Sequence, residues 1–140
     1  MKKLLVLIII FSILAFSQEK NECEEYTMPY WANGINSQIK GEKPILRKAF
    51  KNIQLSETDI TPKNGFITLR VNISKTGKFC NIETFQIDEN YENIEFNNGN
   101  LITELENIAI GIKDWQRDKD YKTYNIIRLK IKNGKIEEVF

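Results

Sequence analysis

From Phe66 onward apolar and polar residues alternate, with Ile67, Leu69, Val71 and Ile73 set between Thr68, Arg70 and Asn72. Side chains of an extended chain point to opposite faces in turn, so this period of two predicts a strand with one buried face. Ser74-Lys75-Thr76-Gly77 follows as a turn, Gly77 taking the position that needs a positive φ. Residues 79–87 read as the returning strand of a hairpin. Their pattern is less regular, with Cys80 and Ile82 on one face and Phe79, Phe85 and Ile87 on the other. Residues 88–100 form a polar loop in which Asn97, Asn98 and Asn100 are candidate helix caps. The period then lengthens to that of a helix. Leu101, Ile102, Leu105, Ile108, Ala109, Ile112 and Trp115 share one face, with Glu104 and Glu106 near the start and Lys113 near the end, where the macrodipole favours them. After a charged turn at 116–120, residues 121–132 are strand again. Ile127, Leu129 and Ile131 point inward there, against Tyr124, Arg128 and Lys130. Asn133-Gly134 is a strong hairpin signal, and residues 136–140 fold back as a last short strand.

Ahead of this unit, Pro44 opens a helix at a favoured first-turn position, and Ile45, Leu46, Ala49, Phe50 and Ile53 recur at helical spacing. Residues 56–64, with Pro62 and the Asn64-Gly65 pair, are a loop. Residues 18–43 are polar, punctuated by Pro29, Gly34 and Gly41, and read as a loosely structured lead-in anchored by Met28-Pro29-Tyr30-Trp31. The predicted order is α-β-β-α-β with a short C-terminal hairpin strand. This is an α+β domain over residues 44–140, with two helices packed on one face of a small antiparallel sheet.

The first residues change the setting. Met1-Lys2-Lys3, an apolar run over residues 4–14 broken by Ser12, and Ala15-Phe16-Ser17 together read as a cleavable secretory signal over residues 1–17. The run is shorter than the roughly 20 residues needed to span a bilayer, so no stable membrane insertion is expected after cleavage. Asn21-Glu22 before Cys23 lacks the aliphatic and small residues of a lipid-attachment site. Loss of Lys2 and Lys3 takes the basic count from 20 to 18 against 19 acidic residues. That balance gives no electrostatic reason to expect nucleic acid as a partner. The expected location is the periplasm or the cell exterior. Such compartments are oxidising, and Cys23 and Cys80 leave one intramolecular pairing. A bridge between them closes a long loop and is worth about 4 kcal/mol on the chain-entropy estimate; two buried or unpaired thiols are the alternative.

Catalytic signatures are missing. The chain has no histidine, which removes the commonest general base and most zinc sites. It has no GxSxG, P-loop, GxGxxG or CxxC pattern. The carboxylates of Glu22, Glu24 and Glu25, and of Asp88 and Glu89, read as solvated loop charges, with a paired-carboxylate hydrolase as the lesser alternative. Trp31 and Trp115 read as packing residues rather than sugar platforms. No enzyme activity, cofactor or metal is expected.

Gly65-Phe66-Ile67-Thr68-Leu69-Arg70-Val71-Asn72-Ile73 with Thr76-Gly77-Lys78 resembles the glycine-bounded hairpin of TonB C-terminal domains. The stretch Ile112-Lys113-Asp114-Trp115 is similar to the end of that family's second helix, and residues 125–131 to its last strand. Gln116-Arg117 stand where the family usually follows its tryptophan with proline, and a long proline-rich spacer is missing from a chain with three prolines. The resemblance therefore implies the family's binding mode without its role in energy transduction. It implies a non-catalytic domain of the bacterial envelope that binds another envelope or outer-membrane protein by strand addition at a sheet edge. The matching edge is the last long strand, with Tyr124, Ile126, Arg128 and Lys130 as its partner-binding residues. If Asn133-Gly134 makes a tight hairpin, residues 135–140 cover that same edge. An open and a covered edge are competing expectations. A self-contained secreted domain without edge binding is the alternative function.

Overall fold

The computed structural model describes residues 21–29, 37–39, 42–113, 115–117 and 120–140; the signal-like residues 1–17, Tyr30 and Trp31 lie outside them. In chain order the elements are β1 (Ser37–Ile39), α1 (Glu42–Ser56), β2 (Gly65–Ile73), β3 (Phe79–Asp88), α2 (Asn100–Ile110), β4 (Trp115–Arg117), β5 (Thr123–Lys132) and β6 (Lys135–Val139), with 3-10 turns at Glu22–Glu24 and Phe96–Gly99. Four strands form an antiparallel sheet in the order β3–β2–β5–β6, and β1 pairs with β4 in a separate two-stranded ribbon. The class is α+β, and the order α-β-β-α-β is as the residue pattern predicts.

The period-two residues explain the sheet. Ile67, Leu69, Val71 and Ile73 of β2 are buried, as are Ile127, Leu129 and Ile131 of β5, which lie in register beside them. Leu46, Phe50 and Ile53 of α1 and Leu101, Leu105 and Ala109 of α2 complete one core with them. The β5–β6 connection uses Asn133 and Gly134 at φ 52° and 72°, the backbone of a type I′ hairpin turn. A shift of register between Asn72 and Ile73 pairs Ile73 with Phe79. This bulge turns Phe79 to the inner side, where it packs against the core, instead of leaving it with Phe85 and Ile87.

Three expectations are corrected. The second helix stops at Ile110, where the Gly111 N–H closes onto the Asn107 and Ile108 carbonyls. Ile112 and Trp115 are still buried, but Trp115 lies in β4 opposite Ile39; glycine weakens the helix and strand pairing takes over. The candidate asparagine caps do not cap: Gly99 occupies the cap position with no side-chain hydrogen bond. Asn97 and Asn98 instead take left-handed backbone, and Asn97 Oδ1 accepts from the Thr61 N–H at 2.8 Å. The lead-in is fastened rather than loose over residues 21–29. Cys23 and Cys80 are bridged, with their Cα atoms 5.4 Å apart. Lys75 Nζ lies 2.8 Å from Glu25, Thr76 donates to Glu22, and Lys122 Nζ donates to the Cys23 carbonyl.

Candidate functional site

The four residues assigned to a binding edge lie on a different kind of surface. β5 runs between β2 and β6, so its backbone is paired on both sides over Arg128–Lys132. Arg128 and Phe140 exchange both backbone hydrogen bonds, at 2.6 and 2.9 Å. At the other end, the Met28 N–H donates to the Lys122 carbonyl and the Thr123 hydroxyl to the Met28 carbonyl, both at 2.9 Å. Of the two competing expectations, the covered edge is the one observed at Arg128–Lys132. The cover belongs to the core: Ile136 and Val139 are 3% and 5% exposed, and burying each such side chain stabilises by about 1.5–3 kcal/mol.

Tyr124, Ile126, Arg128 and Lys130 project from β5 on the side away from the buried residues. In-register neighbours join them: Phe66, Thr68 and Arg70 from β2, and Glu83, Phe85 and Ile87 from β3. The Arg70 guanidinium lies 4.1 Å from the Tyr124 ring centroid, and that of Arg128 lies 4.4 Å from Phe66. Such contacts are worth about 0.5–1 kcal/mol each at exposed sites and hold the guanidinium plane in place. Glu83 is neutralised by Arg70 at 3.2 Å and accepts from Asn72 Nδ2 at 2.8 Å. Glu137 is neutralised by Lys130 at 2.6 Å and Lys132 at 3.3 Å. Hydrogen bonding from Lys130, then from Lys132, holds the Glu137 carboxyl below the usual carboxylate range; the same Glu137 bond raises Lys130. Phe66, Arg70 and Phe85 were missed as members of this face. The signal lay in β2, where Phe66, Thr68 and Arg70 fall on alternate positions, and in β3, where Phe85 pairs with Thr68 once the hairpin register is known.

The sheet retains another edge in β3. Its end is covered by the following loop, since the Ile94 N–H donates to the Gln86 carbonyl and the Asp88 N–H to the Glu92 carbonyl. These bonds show that the even-numbered residues aim their backbone groups away from β2. Ile82 and Thr84 therefore present N–H and C=O outward, and no strand among the described residues pairs with them.

The acidic groups are engaged in structure. Glu22 accepts from Thr76, Glu25 from Lys75, and Glu89 from Asn64, while Asp88 accepts from the backbone N–H groups of Asn90 and Glu92. One open cleft of about 560 Å³ holds Glu22 beside Lys75 and Lys78, and another of about 360 Å³ holds Glu89 beside Lys130 and Lys132. Neither brings two carboxylates together. Among the described residues no group of three or more acidic or cysteine side chains could hold a metal, and no helix is long and apolar enough to cross a membrane. Trp115 is 6% exposed, so its ring is packing rather than platform. No protein-family model, curated protein or solved structure matches the chain.

Proposed function

We propose that this chain is an exported, non-catalytic interaction domain of the bacterial envelope that takes an extended segment of a partner protein onto β3. The observation that carries the reading is the outward-facing backbone of Ile82 and Thr84, a template for one more strand. The resemblance to TonB C-terminal domains supports strand addition as the mode, and the pairing of β5 with β6 favours β3 over β5 as its place. The signal-like first residues and the Cys23–Cys80 bridge support export. A self-contained secreted domain is the second reading, favoured by β6 closing the β5 edge with core residues.

Proline tests the edge without dismantling the sheet, because an edge strand tolerates it where the N–H faces solvent. A photo-crosslinking side chain at Asn81, used in the native envelope, should trap a discrete product. Thr84→Pro should abolish that product. Thr84→Ala keeps the N–H but loses the Thr84 hydroxyl's bond to Glu106, and it should retain the product. Absence of any product, or a product indifferent to Thr84→Pro, would favour the self-contained domain.

A further inference from the structure

The centre of the outer sheet face carries a cation that no carboxylate among the described residues pairs with. Across the four strands, Phe85, Thr68, Arg128 and Phe140 form one row in register. Arg70 is tied to Glu83 and Lys130 to Glu137, but no carboxylate among the described residues pairs with Arg128. Its Nε is buried without a hydrogen-bond partner, and its guanidinium is stacked over Phe66. Thr68, between Phe85 and Arg128, is the smallest side chain of the row. Phe85, Ile126 and Phe140 around it remain 52%, 38% and 43% exposed. Arginine held by aromatic groups within exposed apolar surface is the composition of interface hot spots, and the stacked guanidinium loses little further freedom on pairing.

We infer that this face is a docking site for an acidic, apolar segment of another protein, with a carboxylate of the segment on Arg128 and an adjacent apolar side chain over Thr68 against Phe85. Charge complementarity selects the occupant: Glu83 and Glu137 are already engaged by Arg70, Lys130 and Lys132, and Arg128 is a planar cation that suits a carboxylate fork. Nucleic acid would require several unpaired cations along a track. In an extended segment, side chains two positions apart lie on one side at about 7 Å, which reaches from Arg128 to its in-register neighbour Thr68 and on towards Phe85. The inference rests on the reading of the chain as a protein-binding domain, but it uses the sheet face rather than the β3 edge.

The test is a titration of the protein with a blocked tripeptide of aspartate, glycine and phenylalanine, followed by nuclear magnetic resonance at Arg128 Nε–H and at the amides of Phe66, Thr68 and Arg128. Saturable shifts at these groups are expected, with affinity reduced about tenfold when asparagine replaces the aspartate. Arg128→Gln should abolish the preference for aspartate. If that variant does not fold, the comparison of the two peptides on the unaltered protein decides. Thr84→Pro should leave the shifts at Arg128 unchanged, which separates this site from strand addition. Equal binding of the two peptides, or no binding of either, overturns the inference. Shifts confined to Ile82 and Thr84 overturn it while leaving the edge reading intact. Arg128-dependent binding to phosphatidylglycerol vesicles without peptide binding overturns it in favour of a membrane surface.

Discussion

Gly65 opens β2 at a φ of 147°, and a β-carbon there would lie 2.2 Å from the Ile87 carbonyl oxygen and 2.9 Å from Asp88 Cα. Both neighbours are backbone in a paired strand, so neither can yield without disturbing the hairpin. At Gly134 a β-carbon would meet the Lys63 Cδ at 2.9 Å and the Ile60 oxygen at 3.1 Å, at a φ of 72°. The flexible lysine stem can move aside, which leaves mainly the left-handed backbone cost. Gly65→Ala should therefore destabilise by about 3 kcal/mol and Gly134→Ala by about 1 kcal/mol, read from urea unfolding midpoints. Equal costs would show that the approach of Gly65 to Ile87 is not the controlling contact. The Asn64-Gly65 pair announces a turn in the sequence, but the carbonyl that makes glycine necessary comes from a strand more than twenty positions away. Arg128 is similar. Its outward direction follows from alternation, whereas its stacking on Phe66 and the lack of a carboxylate partner among the described residues follow from register.

At the scale of elements, β6 decides whether the C-terminal segment is a gate or a wall. Ile136 faces Ile131 and Val139 faces Leu129, all buried, and Gln54 of α1 donates to the Glu137 carbonyl at 3.3 Å. Removing residues 135–140 would expose that layer and unpair β5. Truncation should thus give a protein that loses its cooperative thermal transition by circular dichroism, rather than a folded domain with an opened edge. A truncated form that melts cooperatively near the parent temperature would restore β5 as a binding edge. The Asn133-Gly134 signal made this hairpin legible, as alternation did for β2 and helical spacing for α1. The β1–β4 ribbon was not legible. Each of its strands has three residues, and its pairing joins Ile39 to Trp115, so neither local propensity nor periodicity marks it. Trp115 fits the helical face of α2 by spacing, and the ribbon claims it because Gly111 ends the helix first. The lead-in was misjudged for a related reason. Its polar residues are held by partners far along the chain, Glu22 by Thr76 and Glu25 by Lys75.

For the molecule as a whole, the absence of histidine and the bridging of both described cysteines remove the side chains that ordinarily titrate near neutrality. What shifts lies at the extremes. Glu22 is lowered by the hydrogen bond from Thr76, Asp59 by that from Lys63 and Glu137 by that from Lys130. Lys75 is raised by its hydrogen bond to Glu25 and Lys130 by its bond to Glu137. A carboxyl lowered on folding contributes stability above its unfolded value, and that contribution fades as pH falls through the folded value. A raised lysine contributes below its unfolded value and loses the contribution as pH rises through the folded one. Stability should accordingly be flat between roughly pH 5 and 9, with declines on either side that salt reduces because these pairs are exposed. The proposed face shares this plateau. The partner's carboxylate stays ionised until about pH 4. Peptide affinity at Arg128 should therefore hold across the plateau and fall on acidification with the aspartate of the probe, ahead of unfolding. A step in either the unfolding midpoint or the affinity near about pH 6.5 would reveal a titrating group that these contacts do not contain, and it would count against a guanidinium–carboxylate pair as the recognition element.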